Sequence, residues 1–255
     1  MEKNLTIVIP VHKIDDNISG LLHHAILSVP QELPIIISTV KDVVDKIKDY
    51  VKDLKADISY SVSDGSSDFC SLVNNAEVKT KWFSILEFDD EFTDIWYNNV
   101  KKYLEYKNDI SVLMCMEDLF DFSTMKYMGI GNNAPWALSF SNEIGMIDND
   151  CLQTYFDFYL TGSVFNTDDF NEVNKLKTNI PISFWYEYLL RITHLGKKVF
   201  VMPKVCYKHY LNREDSLIDI SAKTMSNEEV DHWFKVARSE YYFKEQRETK
   251  PFKKD

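Results

Sequence analysis

Apolar runs of strand length alternate with stretches of helical periodicity through the first half of the chain, and this alternation restricts the fold more than any other feature. Leu5–Val11 (LTIVIPV) is apolar almost throughout and reaches a proline near its end, the pattern of a strand buried on both faces. Leu21, Leu22, Ala25, Ile26 and Val29 then recur at helical spacing until Pro30 stops the helix. Pro34 opens a second run, Ile35–Val40, and an amphipathic helix carrying Val43, Val44, Ile47, Tyr50, Val51 and Leu54 follows it. Ile58–Val62 is a third strand, closed by a turn at Ser63, Asp64 and Gly65. Trp82–Phe88 and Ile110–Met116 predict a fourth and a fifth strand. Such alternation implies an α/β fold with a mostly parallel central sheet and helices on both faces. Ligands in sheets of this kind bind beyond the carboxyl ends of the strands, here just after Val11, Val40, Val62 and Phe88.

The second half is less regular. Gly129–Trp136 (GIGNNAPW) reads as a loop rich in turn formers. Ser226 and Glu229 fit a capping box, and Val230, Trp233, Phe234, Ala237 and Tyr241 share one face of the helix it opens. A main domain over 1–220 is expected, with 221–255 as a C-terminal helix and basic tail packed on it. Lys244, Arg247, Lys250, Lys253 and Lys254 make that tail basic: a solvated end, or one attracted to a membrane surface or a polyanion.

The net charge of −11 argues against a surface built mainly to hold nucleic-acid phosphates and suits one that holds metal cations. No apolar stretch approaches the roughly 18 residues of a membrane span, and the N-terminus lacks a signal-peptide layout. Cys70, Cys115, Cys151 and Cys206 are scattered and read as buried thiols of a reducing compartment. A cytoplasmic protein is the expectation.

Residues 82–92 (WFSILEFDDEF) bring Glu87, Asp89, Asp90 and Glu91 together at the end of an apolar strand. Clustered carboxylates repel one another unless solvent or a cation screens them. Mg²⁺ or Mn²⁺ bound by one or two of them, with phosphate oxygens and water completing the shell, would answer that repulsion. An ordinary solvated turn after an edge strand is the other reading.

The order and spacing of several segments resemble glycosyltransferase family 2. They are TIVIPVHK at 6–13, AILSV at 25–29, LVNNAEVKTKWFSILEFDD at 72–90, GSVFNTDDF at 162–170 and YEYLLRITHLGKKVFVMPKVCYKHY at 186–210. The resemblance covers roughly residues 5 to 217, each motif being degenerate. It implies a GT-A fold and a metal-dependent transferase of the hexosyltransferase type. The implied donor is a nucleoside-diphosphate sugar, UDP-linked by preference. Glu87 takes the first position of the family's Asp-x-Asp motif and Asp89 the second, with Asp90 as an alternative ligand; the Glu is a departure from the pattern. The donor pocket would lie over Pro10, Val11 and His12. Asp64 begins a run (DGSSD) like one that family members carry after their second strand, but here it follows the third. The matching second-strand position, near Ser38 and Thr39, has no Asp. His209, after an expected strand Val199–Val205, is a candidate metal ligand. Trp136 and Trp185 could stack on a sugar, whereas His23 and His24 read as surface residues.

Inverting members place a catalytic Asp or Glu at the start of the helix that ends near Arg191. Here Phe184 and Trp185 stand in that place. Glu187 one turn later, or Asp168 or Asp169 in the preceding loop, could act instead; a retaining mechanism would need none of them. Glu187 and Arg191 are also spaced for an i,i+4 ion pair. A catalytically degenerate binding or scaffold protein is therefore an alternative to the enzyme. A nucleotidyltransferase is disfavoured by the lack of a glycine-rich basic loop after the first strand. The acceptor stays open among a glycan, a protein and a modified nucleic acid.

Overall fold

The computed structural model describes residues 4–133, 145–156 and 158–241. Its first strands are β1 (Leu5–Val11), β2 (Ile35–Val40), β3 (Ile58–Ser63) and β4 (Trp82–Ile85), and all pair in parallel. The helices between them are α1 (Asp16–Ser28), α2 (Lys41–Val51) and α3 (Phe69–Asn75). Next come β5 (Glu91–Phe92), α4 (Trp96–Tyr106), β6 (Ile110–Asp121), β7 (Lys126–Gly131) and β8 (Met146–Ile147). The remainder is α5 (Asn149–Thr154), β9 (Val164–Asn166), α6 (Thr167–Glu172), α7 (Phe184–His194), β10 (Lys198–Leu211), α8 (Leu217–Thr224) and α9 (Asn227–Tyr241).

The sheet runs β3-β2-β1-β4-β9-β6-β10-β5, with β7 added beside β6 and β8 beside β10. β9 runs antiparallel to both its neighbours, so β6 and β10 keep the direction of β1 to β4. The long strands thus share one direction, and their carboxyl ends share one edge.

β1 shows why the sheet is covered twice. Leu5, Ile7, Ile9 and Val11 enter one core with Leu22 of α1, Ile47 of α2 and Trp96 of α4. Val8 points the other way, into a core with Val73 of α3, Leu152 of α5 and Leu189 of α7. Each such fully buried aliphatic side chain contributes roughly 1.5–3 kcal/mol relative to an exposed one. No helix among the described residues is long and apolar enough to cross a membrane.

Several elements depart from the sequence expectation. The fourth strand stops at Ile85, and Leu86 to Asp90 form a turn in which the Asp90 amide donates to the Glu87 carbonyl. The expected fifth strand continues to Asp121, because Glu117 and the residues after it still pair with β10. The segment at 129–131, expected as loop, belongs to β7, which closes a hairpin with β6; Trp136 and the rest of 134–144 lie outside the described residues. β10 runs through to Leu211, so His209 sits within a strand rather than after one.

The capping box forms: the Ser226 amide donates to Glu229 Oε2 at 2.7 Å, and the Glu229 amide to Ser226 Oγ at 3.3 Å. The helix it opens docks on α7. Ala237 is fully buried there, Ser183 Oγ donates to the Trp233 carbonyl, and Arg238 Nε donates to the Tyr186 hydroxyl. The side chain of Tyr241 and the basic tail from Lys244 lie outside the described residues.

Candidate functional site

Two cavities, of about 380 and about 370 Å³, meet along the carboxyl ends of the strands. Phe69, Glu87, Phe184, Ser216 and Leu217 line both, so they form one cleft with two halves. Pro10 and His12 after β1, Ser67 and Asp68 before α3, Phe88 and Arg213 belong to one half. Tyr159, Thr161, Trp185, His209 and Asn212 belong to the other, with Asp89 beside Glu87 at the junction.

The turn after β4 supplies the carboxylates. Its backbone is held from behind by Tyr207, a fully buried residue of β10 whose hydroxyl accepts the Glu87 amide at 3.3 Å. Gly162 makes room for that ring. It sits at φ +71°, and a Cβ there would fall 2.4 Å from the Tyr207 ring. The Gly162 carbonyl also accepts the Trp96 indole N–H at 3.0 Å, tying the turn to α4.

Asp89 is nearly buried and pairs with Arg213, whose Nε donates to Asp89 Oδ2 at 2.5 Å. Asp89 Oδ1 is buried without a hydrogen-bond partner among the described residues. Asp90 accepts the Tyr210 amide at 2.8 Å on Oδ1, while its Oδ2 is also buried without a partner. Burial, then repulsion from Asp89, raises the Glu87 pKa; burial likewise raises Asp90 well above the usual carboxylate range.

The sequence reading missed Glu117. It is fully buried in β6, accepts from Asn132 Nδ2 at 3.2 Å, and meets His209 Nδ1 at 3.1 Å. Asn132, at φ +50°, also donates to the carbonyls of Cys115 and Tyr159 at 3.0 and 2.7 Å, which fixes the Glu117 side of the cluster. Burial alone would lower the His209 pKa, but Asp90, the hydrogen bond to Glu117 and Glu87 outweigh it and raise it to about 10. A carboxylate inside an apolar strand was the available signal; Glu117 pairs with Tyr207, and its contact with His209, two residues further along β10, needed the β6–β10 pairing to be read.

The expected site residues divide as follows. Glu87, Asp89, Asp90 and His209 gather at one place, though not around one point. Among the described residues, no three His, Cys, Asp or Glu side chains are set to hold a metal ion together. Asp89 Oδ1, enclosed and without a partner, fits a site in which one carboxylate meets the cation and phosphate and water complete its shell. Pro10 and His12 line the cleft, whereas the Val11 side chain is buried in the core and its carbonyl accepts Thr39 Oγ1. Asp64 lies in an exposed turn and lines neither cavity; Asp68 of the same run does line one, while capping α3 through the Ser71 amide.

The three proposed bases stand outside the cleft. Glu187 is fully buried, and Arg191 engages both its oxygens, at 2.8 and 2.9 Å. Asp169 pairs with Lys197 at 2.5 Å, and Asp168 is exposed at the start of α6. The i,i+4 spacing of Glu187 and Arg191 thus becomes a buried ion pair. Phe184 and Trp185, which the resemblance set in the place of a base, line the cleft with apolar side chains.

The architecture has counterparts among solved structures. S. aureus TarS 1-349 in complex with UDP-GlcNAc superposes with a TM-score of 0.68 at 11% identity, over 93% of this chain. The fold is GT-A. The mannosyltransferase PcManGT from Pyrobaculum calidifontis, in complex with GDP-Man and Mn²⁺, matches with a TM-score of 0.60 at 11% identity, over 93% of this chain and 61% of that one. The chain spans 66% of TarS 1-349 and 42% of the S. aureus TarS chain, less than two thirds of either. No family model and no curated protein matches the sequence. At such identity the likeness is one of fold.

Proposed function

We propose that the protein transfers a sugar from a nucleoside-diphosphate donor to an acceptor hydroxyl, with Mg²⁺ or Mn²⁺ held at Asp89. The observation that carries this reading is the two-part cleft at the strand ends, joined at Glu87 and Asp89. The half over Pro10, His12 and Phe88 suits a nucleoside: it is apolar, and burial with the Lys13 and Arg213 charges lowers the His12 pKa, favouring the neutral ring. The half with Trp185 and Tyr159 suits a sugar and its acceptor.

Charge supports the metal. Among the described residues, Arg213 and His209 stand beside Glu87, Asp89, Asp90 and Glu117; burial and repulsion from Asp89 raise the Glu87 and Asp90 pKa values, and a divalent cation would relieve that repulsion. Bound at Asp89, the ion would act as a Lewis acid on the departing diphosphate. Asp90 and the hydrogen-bonded Glu117 favour the charged form of His209, and Glu117 orients its ring, so that an imidazolium would face the same oxygens from β10. The Tyr207 hydroxyl holds the Glu87 backbone, and Glu87 can accept from a ribose hydroxyl at the junction of the halves. The likeness to structures that hold UDP-GlcNAc and GDP-Man supports a nucleotide sugar without choosing the base.

A second reading has an observation of its own. With Glu187, Asp168 and Asp169 all outside the cleft, a GT-A protein that binds nucleotide sugars without transferring them fits the geometry too. Incubation with a panel of UDP- and GDP-sugars in Mn²⁺ separates the two. Slow metal-dependent release of free sugar from at least one donor is expected of the enzyme, and binding without any release would establish the second reading.

A further inference from the structure

Asp89 is the carboxylate at which the proposed function places a cation, yet its surroundings already contain one. Arg213 Nε meets Oδ2 at 2.5 Å, and both side chains are almost enclosed, 11% and 6% exposed. The guanidinium lies over the Phe88 ring, 5.0 Å from its centroid, which seals it from the other side. Oδ1 is buried with no hydrogen-bond partner among the described residues. While Arg213 holds this place, neither oxygen of Asp89 is open to a hydrated ion.

The segment carrying Arg213 is built to hold it there from outside the sheet. β10 ends at Leu211 and α8 begins at Leu217, and the turn between them contains two left-handed residues, Asn212 at φ +60° and Asp215 at φ +65°. Asn and Asp are the types that tolerate this conformation. The turn is tied to the body through Asn212 Nδ2, which donates to Asp121 Oδ2 at 2.8 Å, and through an exposed Lys13–Asp215 pair at 3.6 Å. Asn212 lines one half of the cleft, Arg213 the other, and Ser216 and Leu217 both.

We infer that Arg213 and the divalent cation compete for Asp89, and that a donor diphosphate resolves the competition by receiving the guanidinium. This rests on the proposed function, its first half on the cation at Asp89 and its second half on the donor as well. The physical reason is charge. Arg213 and a divalent ion cannot share one enclosed carboxylate without strong repulsion, whereas a diphosphate brings enough negative charge for both. Its oxygens also match the planar guanidinium fork. Metal alone therefore binds weakly, nucleotide and metal bind together, and each raises the affinity of the other by the same factor. Arg213 is a positioning residue for the metal and a contact for the donor.

The test is titration of the full-length protein with Mn²⁺, followed by electron paramagnetic resonance of the free ion, with and without UDP. Arg213→Gln removes the competing charge and is expected to bind Mn²⁺ alone on the order of tenfold more tightly than the parent. UDP should tighten Mn²⁺ binding in the parent by a larger factor than in Arg213→Gln. Equal or weaker Mn²⁺ binding by Arg213→Gln in the absence of nucleotide overturns the inference. Arg213→Lys keeps a charge on a different stem and should gain less; if Arg213→Gln does not fold, an unchanged Mn²⁺ affinity in Arg213→Lys overturns it equally. Should Arg213→Gln gain affinity while neither UDP nor GDP affects either protein, the competition stands and the donor reading fails.

Discussion

At the scale of single residues, placement rather than type decides what each carboxylate can do. Glu187 and Glu117 are both fully buried, but one faces Arg191 and Lys177 outside the cleft while the other faces His209 beside it. The prediction for Glu187 follows from its ion pair. Glu187→Gln removes the carboxylate that Nε and Nη2 of Arg191, only 7% exposed, both engage. Loss of one partner of a buried pair typically costs about 3–5 kcal/mol, and chemical denaturation should show a loss approaching that range. Donor binding below the melting transition should persist. Unchanged stability together with a fall in kcat of about 10²–10⁴ would instead make Glu187 a base. The i,i+4 spacing of this pair was visible in the sequence, but its burial was not. That burial involves residues distant in the chain: the Lys175 carbonyl accepts Arg191 Nη2, and Lys177 Nζ lies 3.9 Å from Glu187 Oε1.

Among the elements, those carried by local pattern were legible and those set by partners were not. β1 and β2 lie where their apolar runs place them, because a strand buried on both faces leaves an uninterrupted signal. β4 ends early because Leu86, although fully buried, already belongs to the turn that presents Glu87 and Asp89. β7 was hidden because Lys126–Gly131 carries no strand pattern of its own and exists through pairing with β6. Two predictions belong here. Gly162→Ala forces a Cβ against the Tyr207 ring at a positive φ and should cost about 2–4 kcal/mol, read as a lowered denaturation midpoint. Since that ring holds the Glu87 amide, nucleotide affinity should fall as well; a neutral substitution would mean that Tyr207 does not support the turn. Truncation after Met225 removes α9 and uncovers the α7 face that Ala237 packs on. The shortened chain should melt several degrees lower and bind a hydrophobic dye, whereas an unchanged melt would show that α9 adds nothing to the core.

For the molecule as a whole, the sheet order explains how residues so far apart in sequence meet. Pro10, Asp68, Asp89, His209 and Arg213 come from strand ends or the turns after them, and the shared direction of the long strands brings those ends to one edge. Order along the chain was therefore enough to indicate the fold and the acidic turn. It was not enough to find Glu117 or Arg213, which act through partners 92 and 124 residues away. The account's central claim is that this edge binds a nucleoside diphosphate through a divalent ion at Asp89. Calorimetric titration of the protein with UDP and with GDP, in Mn²⁺ and again in EDTA, tests it most directly. At least one nucleotide should bind in Mn²⁺ and lose at least about tenfold in affinity in EDTA, and Asp89→Asn should behave in Mn²⁺ as the parent does without metal. Equal affinity in EDTA, or full metal-dependent binding by Asp89→Asn, would contradict the claim.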